Sequence, residues 1–115
     1  MKPNRSKTFK KISNKSISKY RAPSIDKQII RELSKEYRKL DLAQKEALKN
    51  WIKENISSRS SENIHQASNW LKTCFERENF YITNGQFKFV MLISGFIPEC
   101  FDALNWHWRI NCKKS

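Results

Sequence analysis

Residues 79–95 hold both glycines of the chain and its most sharply bounded helix signal. The apolar run Phe80-Tyr81-Ile82 stops at Thr83, and Gln86 follows three residues later. That spacing is a capping box, in which each side chain satisfies a backbone N–H that the first helical turn leaves free. Phe87, Val90, Met91 and Ser94 then recur on one helical face, and Gly95 stands where a left-handed C-cap belongs. The spacing predicts a helix over 84–94, and any fold for this chain must accommodate that short, firmly closed element.

The setting is strongly basic. Net charge is +12 over 115 residues. Residues 1–27 carry nine cations (Lys2, Arg5, Lys7, Lys10, Lys11, Lys15, Lys19, Arg21 and Lys27) against the single acid Asp26, whereas residues 28–115 carry fourteen against ten. A tail of this density attracts polyanions by releasing their counterions. The aromatic content, 12%, argues against disorder of the whole chain, and all four tryptophans lie beyond residue 50. No apolar run is long enough to span a membrane, and no apolar h-region marks a secretory signal. The basic, Ser-rich start mimics a mitochondrial transit peptide but lacks its amphipathic stripe. Three widely spaced cysteines form no disulfide framework, which points to a reducing, cytoplasmic setting.

Residues 1–23 read as a flexible basic arm closed by Pro23, and 24–115 as one helical domain. Ser24 is a candidate N-cap, followed by the stripe Ile29, Ile30, Leu33, Tyr37 and Leu40. Asp41 with Gln44 repeats the capping box and opens a segment with Leu48, Trp51, Ile52 and Ile56 inward. The region 24–57 is thus a helical hairpin or one long helix, and the second box favours the hairpin. A loop at 57–61 precedes a third predicted helix over 61–78, with Ile64, Ala67, Trp70, Leu71, Cys74 and Phe75 on its apolar face. Leu104, Trp106, Trp108 and Ile110 alternate with polar residues and predict a strand, for which Phe80–Ile82 is the expected partner. The fold expected is mainly α: three to four helices with a small two-stranded ribbon, winged helix-turn-helix-like over 61–110.

In a helix-turn-helix the second helix enters the major groove and reads bases from its N-terminal residues. Those are Thr83, Asn84, Gln86 and Lys88 here, with Arg77 nearby; Asn and Gln pair bidentately with adenine, and Lys with guanine. Gly85 lets the backbone approach a phosphate at a helix end suited to anions. The alternative is a capped structural helix packed on its predecessor. The run Trp106-His107-Trp108-Arg109 invites base stacking, though both tryptophans share a strand face with Leu104 and Ile110 and read better as core. Cys100, His107 and Cys112 lack the paired spacing of a zinc site, and no nucleophile elbow, phosphate loop or zinc-protease motif is present. No catalytic residue, metal or cofactor is expected.

The segments Ser68-x-Trp70-Leu71-Lys72, Phe80-Tyr81-Ile82-Thr83-Asn84-Gly85-Gln86-Phe87-Lys88, Met91-Leu92, Gly95-Phe96 and Leu104-Asn105-Trp106-His107-Trp108-Arg109-Ile110 together resemble a C-terminal module of small accessory proteins. Those proteins belong to phages, plasmids and chromosomal cassettes of low-GC Gram-positive bacteria. This chain departs from the module after Lys88, where Phe89 and Val90 replace small residues. The resemblance implies a mobile-element accessory protein: a DNA-binding regulator, a replication accessory, or an inhibitor of host defence of the anti-CRISPR kind.

Two functions follow as expectations. The first is non-enzymatic nucleic-acid binding, DNA before RNA, with the arm on phosphates, the helix 84–94 in a groove and Arg109 beside it; a homodimer is compatible with this. The second is a protein-binding inhibitor or accessory subunit of a nucleic-acid machine, for which an exposed Phe89–Phe101 patch is the discriminating feature.

Overall fold

Asp41 divides the first helical region in two. Its carboxylate accepts from the Gln44 amide at 2.8 Å, while Gln44 Oε1 accepts from the Asp41 amide at 2.9 Å. The three-four spacing that runs through 30–51 is therefore broken by a cap, and a helical hairpin results. The computed structural model describes residues 26–58 and 63–114. Among them the order is α1 (Lys27–Tyr37), α2 (Leu42–Asn55), β1 (Ile56–Ser57), β2 (Ile64–Ala67), α3 (Ser68–Glu76), α4 (Asn84–Ile93) and β3 (His107–Cys112). The basic arm 1–23 and the Ser24 cap lie outside the described residues; α1 is capped by Asp26, which accepts from the Gln28 amide at 2.9 Å.

The chain is α-rich with one small antiparallel sheet, as expected, but the sheet has three strands in the order β1-β3-β2. Residues 64–67, predicted to be helical, are strand β2, paired with β3 through Ile64↔Ile110 and Gln66↔Trp108. Helix α3 starts only at Ser68, whose amide donates to the Trp106 carbonyl at 2.7 Å and whose Oγ accepts from the Trp106 amide at 3.0 Å. This double bond ends the strand and opens the helix. Phe80–Ile82, predicted to be the partner of β3, is irregular chain instead. Its Ile82 amide donates to Glu76 Oε2 at 3.0 Å, which removes it from any ladder.

Helix α4 is the hub, with α1, α2 and α3 all packing on it. Phe87, Val90 and Met91 are fully buried beside Leu48, Ile52, Leu71 and Phe75. Trp106, Trp108 and Ile110 are buried as the alternation predicted, but Leu104 lies before the strand and is 81% exposed. Gly95 adopts φ +97° and closes α4 in a Schellman turn: Phe96 N–H donates to Met91 O and Gly95 N–H to Leu92 O.

Candidate nucleic-acid interface

The N-terminus of α4 carries the residues expected to read bases, and each is spent on internal contacts. Thr83 and Gln86 form their capping box, with Gln86 Oε1 accepting from the Thr83 amide at 2.8 Å. Gln86 is only 6% exposed, and its Nε2 donates to the Glu36 carbonyl in α1 at 2.9 Å. Asn84 Nδ2 donates to Asn105 Oδ1 at 3.0 Å and to Leu104 O at 3.2 Å. A Cβ on Gly85 would meet Glu36 Cγ at 3.3 Å and Leu33 Cδ2 at 3.5 Å, so α1 fills the space required for a phosphate. Lys88 is 8% exposed; its Nζ lies 5.1 Å from the centre of the Trp106 ring, and burial pushes its pKa down. This end of α4 is thus covered on two sides, with Gln86 and Gly85 against α1, Asn84 held by residues 104 and 105, and Lys88 set over Trp106.

Phe89 and Phe101 do not form an exposed patch. Phe89 is half-buried against the Tyr37 ring at 4.9 Å, and Phe101 is buried edge-on against Trp106 at 5.1 Å.

Arg77 and Arg109 remain outside. Arg77 lies over the Trp70 ring at 4.9 Å. Arg109 projects from the sheet face away from the core, opposite His65, which pairs with Glu99 and stacks on His107. These two arginines stand on separate elements and form no common site with α4.

The largest basic feature among the described residues is on α1. Ile29, Leu33 and Tyr37 turn inward, which sends Lys27, Arg31, Lys35 and Arg38 to the opposite face. Steps of four, four and three residues keep those four cations within an arc of about 80° along a ridge of about 16 Å. All four are exposed, and none forms an ion pair among the described residues. Nearby carboxylates are engaged elsewhere: Glu36 holds Lys39 at 3.1 Å, and Glu32 accepts from Gln28 Nε2 at 3.0 Å. Of these four, sequence reasoning singled out only Lys27. The signal for the others was their own spacing, the complement of the apolar stripe of the same helix.

Among the described residues no group of His, Cys, Asp and Glu is arranged to hold a metal ion, and no helix is long and apolar enough to cross a membrane. Cys74, Cys100 and Cys112 form no disulfide, and burial raises the pKa of Cys74. No family model, curated protein or solved structure matches the chain.

Proposed function

We propose that the protein binds nucleic acid, DNA before RNA, without catalysing a reaction, and that it does so through the outer face of α1 together with residues 1–25. The observation that carries this reading is the unpaired ridge Lys27–Arg31–Lys35–Arg38, which continues in sequence from a segment holding eight further cations. Cations spaced one helical turn apart, with no carboxylate partner among the described residues, are suited to successive phosphates and release counterions when they meet them. Helix α4 has a structural role in this reading. A winged helix-turn-helix use of the fold would need its N-terminal face, which α1 occupies. The resemblance of residues 68–110 to mobile-element accessory modules supports a regulatory or accessory role, and three cysteines without a disulfide suit a reducing cytoplasm.

The test is a salt titration of duplex binding by fluorescence anisotropy. Each lost phosphate contact lowers the log–log salt slope by about 0.9, so R31E/K35E/R38E should flatten the slope by roughly 2–3 and weaken binding at low salt. Wild-type affinity and slope in that variant would overturn the reading.

A further inference from the structure

Below α4's hub position, its C-terminal end and the second half of α2 enclose a pocket of about 350 Å³ lined by Lys49, Ile52, Lys53, Ile56, Ser94 and Phe96. Its construction is mixed. Ile52 and Ile56 are buried members of the core, and Phe96 packs against that core, so the floor is apolar. Lys49 and Lys53, one turn apart on α2, stand at the same opening, and neither has a carboxylate partner among the described residues. The chain neighbours of Ser94 and Phe96 add apolar surface: Ile93 is 49% exposed and Ile97 51%.

From this we infer that the pocket docks an acidic, apolar segment of a partner protein, with carboxylates on Lys49 and Lys53 and a large apolar side chain against half-buried Phe96, beside exposed Ile93 and Ile97. Charge complementarity selects that occupant. The chain's own residues 1–23 hold eight cations and no acid, so neither this segment nor that of a second copy matches the lysines. A nucleic-acid backbone would satisfy the lysines but leave the apolar floor without a partner. A short peptide with Glu beside Leu or Phe satisfies both at once. The pocket lies on α2 and α4, away from the α1 ridge, so this docking is independent of nucleic-acid binding through α1.

The probe is a fluorescein-labelled synthetic peptide alternating Glu with Leu and Phe, titrated with the full chain and followed by anisotropy. Binding should be saturable and weaken with salt, and the same peptide carrying Lys in place of Glu should not bind. K49E/K53E, at residues with no ion pair to lose, should keep its far-ultraviolet circular dichroism and weaken peptide binding by about tenfold or more. R31E/K35E should bind the peptide like wild type. Amide NMR shifts on peptide addition should centre on Ile52, Ile56, Ser94 and Phe96. Absence of saturable binding, equal binding of the Lys peptide, or unchanged affinity in K49E/K53E would each overturn the proposal. So would loss of duplex affinity in K49E/K53E with peptide binding intact, which would assign both lysines to nucleic acid.

Discussion

The side-chain amide of Gln86 donates from Nε2 to the main-chain oxygen of Glu36, 2.9 Å away and fifty residues earlier in the chain. The same residue's Oε1 caps α4 through Thr83. One side chain thus starts a helix and ties it to another. Gln86→Ala removes both bonds and leaves the Glu36 carbonyl with the Lys39 amide as its donor, a loss of roughly 1–2 kcal/mol. Urea unfolding should record that loss, while duplex affinity measured on the folded protein stays at the wild-type value. A base-reading Gln86 would give the reverse pattern.

Gly85 reports on the same joint. An added Cβ sits 3.3 Å from Glu36 Cγ, a contact that a half-buried side chain can relieve. Gly85→Ala should therefore change stability by less than about 1 kcal/mol, helix propensity offsetting the squeeze. Gly85→Leu cannot be absorbed and should cost about 1–3 kcal/mol. Hydrogen exchange in the Leu variant should rise across residues 27–37, because α1 is what the side chain displaces.

Lys88 yields a pH prediction. Burial holds its pKa below the ordinary 10.5, so the folded state gives up the proton before the unfolded chain does. Between the folded value and 10.5 the unfolded state binds more protons, and stability from this group rises with pH. Lys88→Met should abolish that alkaline rise and be at least as stable as wild type at neutral pH. Melting temperatures across an alkaline series check it.

At acid pH the informative group is Glu78. Its carboxylate accepts from Trp51 Nε1 at 3.1 Å and pairs with Lys114 at 2.9 Å. Hydrogen bonds from Lys114 first, then Trp51, lower its pKa from 4.5. The contribution is complete above 4.5 and is lost as pH falls through the lowered folded value. The indole N–H resonance of Trp51 should titrate with a midpoint below 4.5. The titration should vanish in Glu78→Gln and move upward in Lys114→Ala.

Local chemistry was legible wherever two near neighbours satisfy one another. Both capping boxes, the Gly95 turn and the Trp106–Trp108–Ile110 alternation stand as the spacing implied. What misled was distance along the chain. Ile64, Ala67 and Leu71 keep helical spacing, and only the pairing of residues 64–67 with β3, some forty residues on, turns the first two of them into strand. Four residues are too few for period two to declare itself, and the inward Gln66 hides it further. The candidate site failed for a similar reason. Asn84, Gln86 and Lys88 have the chemistry of base readers, and only the tertiary structure shows Asn84 bound to Asn105 and Lys88 set over Trp106. Residues 84–88 and 104–106 thus touch one another and form a structural joint.

Strand β3 pairs with Ile56–Ser57 on one side and Ile64–Ala67 on the other, and β1 and β2 do not pair with each other. The consequence is kinetic. No hairpin can nucleate this sheet, because every rung requires closure of a loop of about forty residues or more, and such closures come late. Until β3 arrives nothing opposes the helical spacing of residues 64–71. We expect refolding from urea to pass through a helix that begins too early, visible as a far-ultraviolet dichroism overshoot that decays as the sheet forms; a monotonic trace would rule this out.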